Sequence, residues 1–262
     1  MDDLRGEIER LAQACGGTVS VCVRDVSNAF DFSLNEGARV GAASTIKVPT
    51  LVEAVRQVKE GRLSLGAEYT LRGKQRCGGS GVISHLHEDV LLTLQDLLTL
   101  MIIVSDNTAT NAVIDIVGMD NVNSTLRSFG YTGTALMRRM YDWEAMAQGR
   151  DNYVVAEEMA DLLARIARRE AVGPEWDDLV LAIMRNQLFS DELGLFLPEG
   201  VLANKTGQRG TVVNDCGIVT TDRFCYSIAV FTQDTECFGE TKIAIGRISK
   251  AVYDAAGRKS CG

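Results

Sequence analysis

Apolar residues recur at two different periods along the chain, and each period predicts a different kind of element. Near the N-terminus, Leu4, Ile8 and Leu11 have the spacing of one helix face, and a Gly-Gly pair follows where that helix is predicted to end. The segment TVSVCVRD then alternates valines with smaller or polar residues, which is the period of a half-buried strand. The segment NAFDFSLN follows at hairpin distance. The chain is therefore predicted to open with one helix and two strands.

The middle of the chain, from residue 44 to about 187, shows helical periodicity and no convincing pair of strands. Thr93 and Asp96 form a capping-box pattern ahead of an apolar run, and Gly118 and Gly130 are placed to close the next two helices. The segment AEEMADLLARIARRE carries acids in its first turn and arginines in its last, as the helix dipole favours. This region is predicted to be helical throughout.

Strand periodicity returns in the last third of the chain, ahead of a terminal helix with Ile245, Ile248 and Val252 on one face. Strands at both ends around a helical middle favour a single antiparallel sheet built from both termini. The three later strands are predicted within GVLANKT, GTVVNDCGIVTT and FCYSIAVFTQ.

The predicted fold belongs to the α/β (α+β) class, with an antiparallel sheet flanked by helices and an inserted all-helical domain. We assign residues 1–34 and 192–262 to the sheet domain and residues 35–191 to the helical domain. A cleft between the two domains is the expected place for a ligand and for an active site.

Composition and charge narrow the possible partners. With 262 residues, 46% of them hydrophobic, the chain is long enough to bury a sizeable core, and a monomer is expected. The net charge of −8, with no compensating basic cluster, argues against nucleic acid as a partner. The longest apolar run, at residues 97–104, is too short to cross a bilayer, so no membrane partner is expected. A small molecule is the expected partner.

The first residues and the cysteines bear on the compartment. The start, MDDLRGEIER, is acidic and predicts a cytoplasmic protein, or a periplasmic or secreted one if a leader has been removed. The seven cysteines form an odd set without C-x-x-C spacing, so they are predicted to be small buried hydrophobic residues.

Three short motifs appear in order along the chain, and each has a use in acyl transfer. A serine hydroxyl is a poor nucleophile at neutral pH and needs a neighbouring base, which a lysine supplies when burial and a second cation lower its pKa. The motifs are Ser44-Thr45-Ile46-Lys47, Ser105-Asp106-Asn107 and Lys205-Thr206-Gly207.

The spacing within the first motif suggests a nucleophile and its base. If Ser44 is the N-cap of a helix, Lys47 projects on the same side one turn later, and Pro49 is the fifth helical residue. Lys205 is the candidate second cation. Taken alone, this pair is read more simply as an N-cap beside a solvated lysine, so the other two motifs carry the argument.

The second and third motifs add a proton donor and substrate-binding groups. Ser105 is placed to pass a proton to the leaving nitrogen, and Asn107 to bind a substrate amide. On a strand, Gly207 allows a ligand to lie against the backbone. The backbone N–H groups of Ser44 and Gln208 are predicted to form an oxyanion hole.

Together the motifs resemble those of the penicilloyl serine transferases, and among them the class A β-lactamase-like serine hydrolases. The segments SDNTATNAVIDIVG and KTGQRGTVVNDCGIV also look like the family's segments, and the resemblance covers nearly the whole chain. It implies a β-lactamase/transpeptidase-like fold and a cofactor-free serine hydrolase that opens a β-lactam amide (EC 3.5.2.6). It also implies that Ser44 is the acylated nucleophile and Lys47 the acylation base or proton relay.

The same resemblance implies that Lys205 and Thr206 bind the substrate carboxylate. Arg209 follows closely and has two interpretations, as a further carboxylate ligand or as a solvated surface arginine.

Release of the acyl group requires an activated water, and the resemblance points to Glu144 as the base. The match is imperfect, because the loop is several residues shorter than is usual in the family and Asp142 replaces an arginine. Glu144 is therefore either the deacylation base or a loop acid paired with Arg138 or Arg139.

That choice separates two outcomes. If Glu144 positions a water, the protein is a β-lactamase; if it does not, β-lactams acylate Ser44 and remain, as in a penicillin-binding protein or a sensor. The remaining alternative is a peptidase or amidase for D-Ala-D-Ala or other D-amino-acid amides.

The segment HLHED, with His85 and His87, matches a zinc-ligand pattern of the unrelated metallo-β-lactamases. Such sites need further histidines, and the chain has only these two. No metal site is expected.

Overall fold

The structure is a computed structural model that describes residues 2–87 and 89–260. Its strands fall near both ends of the chain and at a few short places between them. In chain order they are β1 (Thr18–Ser27), β2 (Phe32–Leu34), β3 (Arg39–Gly41), β4 (Glu68–Leu71), β5 (Val90–Thr93), β6 (Tyr153–Val155), β7 (Leu202–Arg209), β8 (Val212–Thr220) and β9 (Cys225–Gln233).

Helices account for most of the chain between β3 and β7. In chain order they are α1 (Asp2–Gln13), α2 (Lys47–Lys59), α3 (Leu94–Ile103), α4 (Asn107–Val117), α5 (Met119–Ser128), α6 (Trp143–Ala147), α7 (Ala156–Ala167), α8 (Pro174–Arg185) and α9 (Phe238–Lys259).

The main sheet is antiparallel and joins the two ends of the chain, as predicted. Its strand order is β2-β1-β9-β8-β7, and Val21 of β1 faces Val230 of β9. Lys205 of β7 faces Cys216 of β8. Strand β7, which carries the third motif, therefore lies at the edge of the sheet.

Both faces of the sheet are covered, because alternate residues of each strand are apolar. Val21 and Val23 pack in one cluster with residues of α1 and α9, including Ile245. Cys22 points the other way and joins the cluster of the helical region. Helix α7 packs on that second face, where the hydroxyl of Ser227 donates a 2.6 Å hydrogen bond to the carbonyl of Ala160.

Several helix ends follow the sequence signals. The Thr93 hydroxyl accepts a hydrogen bond from the N–H of Asp96 at the start of α3, and the Asp96 carboxylate accepts one from the N–H of Thr93, which confirms the capping box. Gly118 ends α4 with a φ of 82°, a conformation that glycine adopts without strain.

The prediction that residues 44–187 contain no strand pair is wrong. Strands β4 and β5 pair with each other, and β6 pairs with β3. These strands have only three or four residues, too few to show a period of two in the sequence. The boundaries 34/35 and 191/192 between the two domains stay a prediction.

Cysteines at 15, 22, 77 and 216 are buried, and the six described ones form no disulfide. Cys261 lies outside the described residues. No helix in the described part of the chain is long and apolar enough to cross a bilayer.

Candidate active site

Ser44 lies in a short 3-10 turn, Ala43–Ile46, that leads directly into α2. The prediction that Ser44 is an N-cap is wrong: Ala42 precedes the turn, and no side chain caps it. Helix α2 begins at Lys47, so Pro49 is its third residue rather than the fifth. A proline is tolerated in a first helical turn, where backbone N–H groups lack intrahelical partners. Ser44 is thereby held on a turn and is partly exposed.

Lys47 is fully buried and joins the first motif to the second. Its ammonium group donates to the carbonyl oxygen of Ser105 at 2.8 Å and to the Ser105 hydroxyl at 3.0 Å. It also donates to Oδ1 of Asn107 at 2.9 Å. None of these three bonds goes to Ser44, so the lysine is anchored by the second motif.

The second motif occupies the turn between α3 and α4, as predicted. Ser105 has a φ of 55°, in the left-handed region. Asp106 caps α4 by accepting from the N–H of Ala109 at 2.9 Å, and its other oxygen accepts from the N–H groups of Val82 and Ile83. The Asp106 carboxylate thus fixes the turn that presents Ser105.

Asn107 completes the second motif. It is buried, and its Nδ2 donates to the carbonyl of Gly78 at 2.9 Å while Oδ1 accepts from Lys47. Both ends of this side-chain amide are engaged inside the protein, so the residue positions Lys47 as well as bordering the site.

The third motif approaches from the edge strand β7. The buried ammonium group of Lys205 donates to the Ser105 hydroxyl at 3.1 Å and to the carbonyl of Thr206 at 2.7 Å. One hydroxyl therefore accepts from two lysines, Lys47 and Lys205, that are far apart in sequence.

Gly207 brings β7 against the nucleophile turn. A Cβ atom at this position would lie 3.0 Å from the backbone nitrogen atoms of Ser44 and Thr45. A side chain here would require one of the two backbones to move by a few tenths of an ångström, so Gly207 permits the close approach of β7 to the nucleophile turn.

The two lysines have depressed pKa values. Burial lowers the pKa of Lys47 well below its usual value, the positive charge of Lys205 lowers it further, and the Asp106 carboxylate acts in the opposite direction. Burial lowers the pKa of Lys205 to about 8, against the effect of the carboxylate of Asp215. Lys47 is thus able to hold a neutral amine, as a general base requires.

Two buried acids beneath Lys205 were not found from the sequence. Burial raises the pKa of Asp215 to about 7, although Asn204 and the N–H of Leu193 donate to its carboxylate. Burial and the neighbouring Asp215 raise the pKa of Glu192 to about 8. Their types and spacing match no motif, and only the fold buries them.

Glu192 links the loop before β7 to two other elements. Its Oε1 accepts from the side chain of Gln208 and lies 3.3 Å from the ammonium group of Lys242 on α9. Its buried Oε2 has no hydrogen-bond partner among the described residues. The backbone of Gln208 is therefore held by strand β7, and its side chain is held by Glu192.

Ser44 borders two cavities. The inner cavity, of about 200 Å³, extends from Ser44 toward the third motif, and its lining includes Ser105, Asp191, Thr206, Gln208 and Lys242. The wide cavity, of about 470 Å³, extends the other way, and its lining includes Asn107, Tyr141, Trp143, Gln208 and Arg209.

Arg209 is neither free nor simply solvated. Its guanidinium group makes two hydrogen bonds to the carboxylate of Asp151, at 3.1 and 2.5 Å. Arg138 binds the same carboxylate at 2.8 Å. Arg209 thus lies at the wall of the wide cavity and forms an ion pair with Asp151. The sequence did not indicate Asp151 as its partner.

Glu144 is the one predicted catalytic residue that the structure does not bring to the others. It is exposed on the five-residue helix α6, and its carboxylate accepts a hydrogen bond from the side chain of Gln148 at 3.5 Å. It lines neither cavity at Ser44. It pairs with neither candidate arginine, because Arg138 binds Asp151 and Arg139 binds Asp115.

The remaining predicted substrate-binding groups lie at Ser44. Thr206 is buried at the wall of the inner cavity, and Gln208 borders both cavities. The backbone N–H of Ser44 donates to no described residue.

Among the described residues, no group of His, Cys, Asp or Glu side chains is arranged to hold a metal ion.

Comparisons with known proteins agree with this architecture. The sequence matches the Beta-lactamase enzyme family over residues 3–256. A solved β-lactamase from Sphaerobacter thermophilus shares 33% identity, with a TM-score of 0.92 and 98% of each chain covered. PBP-A shares 26% identity, with a TM-score of 0.89, 98% of this chain covered and 97% of PBP-A. A substituted form of PBP-A, solved as an acyl-enzyme complex with penicillin G, shares 26% identity with the same coverage and a TM-score of 0.88.

A search of curated proteins found no match. The family match nevertheless spans nearly the whole chain, and the solved β-lactamase shares both a third of its residues and the fold. The chain therefore belongs to the Beta-lactamase enzyme family.

Proposed function

We propose that this protein is a serine β-lactamase of the class A type, in which a β-lactam acylates Ser44. The Ser44 oxygen attacks the lactam carbonyl carbon, the carbon–nitrogen bond breaks, and an ester to Ser44 forms. Lys47 takes the hydroxyl proton, and Ser105 delivers a proton to the leaving nitrogen. The observation that carries this proposal is the Ser105 hydroxyl, which accepts from both Lys47 and Lys205 beside the nucleophile turn.

Charge on the lactam oxygen needs donors as the tetrahedral intermediate forms. We assign them to the backbone N–H groups of Ser44 and Gln208. Support comes from the unpartnered N–H of Ser44 and from Gly207, which holds β7 against that turn.

The substrate carboxylate is assigned to Thr206, which lines the inner cavity, and to the positive charge of Lys205, which is buried next to Thr206 in β7. Arg209 has a weaker claim to this role, because its guanidinium group is bound by Asp151.

Hydrolysis of the Ser44 ester is the step with the weakest structural support in the site. In the β-lactamase proposal Glu144 activates the water, yet it is exposed and lies outside both cavities. This position of Glu144 favours a second candidate function, a penicillin-binding protein or D-Ala-D-Ala peptidase. β-Lactams would acylate such a protein, and the acyl-enzyme would be hydrolysed slowly. The substituted form of PBP-A solved as an acyl-enzyme complex with penicillin G supports acylation by a β-lactam on this fold.

A chromogenic cephalosporin separates the two candidates. Sustained colour with many turnovers per molecule supports the β-lactamase, whereas a stoichiometric burst followed by a stable adduct supports the slow alternative. Absence of both contradicts acylation by β-lactams. Ser80 borders both cavities without belonging to a motif, so Ser80→Ala is a matched control for Ser44→Ala.

The Glu144→Gln variant tests the deacylation base directly. If Glu144 activates the water, the acyl-enzyme accumulates in the variant and turnover falls. Unchanged turnover removes Glu144 from this role. The exposed Glu199, which lines neither cavity at Ser44, supplies the control Glu199→Gln.

A further inference from the structure

A third cavity lies beside the wide cavity, on the far side of two aromatic rings. This cationic cavity has a volume of about 460 Å³, and its lining includes Lys74, Arg76, Asp115 and Arg139. It shares Met140, Tyr141 and Trp143 with the wide cavity that borders Ser44. In addition, Gly78 lines the cationic cavity and the next residue, Gly79, lines the wide cavity. A ligand bound at Ser44 therefore needs to pass only one wall to reach the cationic cavity.

A tight turn builds that wall. The N–H of Trp143 donates to the carbonyl of Tyr141 at 3.0 Å, and Asp142 between them has φ −79° and ψ 81°, as in an inverse γ-turn. The turn brings the two rings edge to face, with centroids 5.1 Å apart. Tyr141 itself has a φ of 61°, an unfavourable conformation for a bulky residue that surrounding contacts must hold.

The opposite loop leaves room for these rings. A Cβ atom on Gly79 would lie 2.4 Å from the Tyr141 hydroxyl oxygen, so the glycine lets the ring close over the loop backbone. Tyr141 and Trp143 remain 45% and 58% exposed. They present apolar surface to whatever crosses between the two cavities.

The charges of the cationic cavity differ from those of the protein as a whole. Three cations and one acid line it, in a chain whose net charge is −8. Arg76 is fixed by hydrogen bonds to the carbonyls of Ser84 and Leu86, and Arg139 pairs with Asp115. Lys74 has neither a hydrogen bond nor an ion pair with any described residue. An anionic group in this cavity would therefore meet one free cation and one fixed guanidinium group.

We propose that the cationic cavity is a subsite for a carboxylate at the end of the substrate's acyl substituent. The substituent leaves Ser44 through the wide cavity and crosses Tyr141 and Trp143 with its methylene chain, and its carboxylate binds near Lys74 and Arg76. The inference rests on the proposed acylation of Ser44. It specifies β-lactams or D-amino-acid amides whose acyl chain is long and acidic at its end.

Two penicillins of equal chain length provide the test: adipoyl-6-aminopenicillanic acid, which ends in a carboxylate, and hexanoyl-6-aminopenicillanic acid, which ends in a methyl group. The second-order rate of acylation of Ser44 is measured for each by intact mass, with acid quenching at early times. We expect the adipoyl compound to react about three to five times faster at low salt, the range of an exposed ion pair. Added salt should reduce that ratio.

The Lys74→Glu variant should bring the ratio of the two rates to one or below. Lys250 on α9 is the control lysine, because it lines neither the wide nor the cationic cavity. Its replacement by Glu should leave the ratio at the wild-type value.

Equal rates for the two penicillins in the wild type would overturn the subsite, as would a ratio that Lys74→Glu leaves intact. A loss of rate that affects both penicillins equally would also contradict it. Failure of both compounds to acylate the wild type is a different result, because it overturns the proposed function and the subsite with it.

Discussion

Lys47 donates a 3.0 Å hydrogen bond to the hydroxyl of Ser105, and the same oxygen accepts from Lys205 at 3.1 Å. Two buried ammonium groups that donate to one oxygen repel each other when both are charged. Burial also lowers the pKa of each lysine. The arrangement favours one neutral amine beside Ser105 at neutral pH.

Replacing Ser105 with Ala should slow acylation by about a hundredfold, the contribution expected of a positioned proton donor. Both lysines lose their shared acceptor, and the leaving nitrogen loses its proton source. Stopped-flow measurement of the acylation rate checks this, with Ser80→Ala as the control because Ser80 also lines the inner cavity. An equal loss in both variants would contradict the role of Ser105.

The charge of Lys205 should set an upper pH limit for carboxylate substrates. Burial lowers its pKa to about 8, so the ammonium form is lost as the pH rises above that value. We expect KM for a penicillin to rise above about pH 8, and KM for its carboxylate methyl ester to rise less. Parallel pH profiles for acid and ester would contradict this assignment.

Glu192 should make the folded protein less stable as the pH rises. Its pKa is raised from 4.5 to about 8, so the folded protein keeps a proton that the unfolded chain loses. The stabilisation is complete below about pH 4.5 and is lost as the pH rises through about 8. Glu192→Gln should therefore remove a decline in the free energy of unfolding of roughly 1 kcal/mol per pH unit between these values.

Urea denaturation at several pH values measures this slope. The exposed Glu199 lies in the same loop, and Glu199→Gln is the control. The same pH slope in wild type and Glu192→Gln would show that the buried carboxyl is ionised at neutral pH.

A side chain at Gly207 should displace the nucleophile turn from β7. A Cβ atom 3.0 Å from the backbone nitrogens of Ser44 and Thr45 would push β7 away from the nucleophile turn. We expect Gly207→Ala to slow acylation by about tenfold or more, because small displacements of reacting groups have large effects on rate. Gly66→Ala is the control, since its Cβ would meet no atom within 4 Å. Full activity in Gly207→Ala would contradict the close approach.

Much of the fold followed from the sequence because its signals are local. The alternation in β1 and the capping box at Thr93 depend on neighbours within a few residues. Strands β3 and β6 escaped prediction, because each has three residues and its partner lies more than a hundred positions away.

The site was predictable to the extent that residue types in fixed spacing define it. The motifs placed Lys47, Ser105 and Lys205 near one another, and the structure brings these three together. Their catalytic roles remain proposals.

The rest depends on tertiary contacts. Burial of Glu192 and Asp215 arises from the packing of β7, β8 and the loop before β7. The ion pair of Arg209 with Asp151 joins two segments whose approach no local pattern shows. The position of Glu144 depends on a five-residue helix in an irregular segment, for which periodicity gives no signal.

The most direct measurement is the intact mass of the protein, quenched in acid at early times after mixing with benzylpenicillin. The account predicts a transient or stable gain of one penicillin mass, mapped by peptide digestion to Ser44 and absent from Ser44→Ala. An adduct that persists in Ser44→Ala, or a wild type that neither gains mass nor consumes the penicillin, would contradict it.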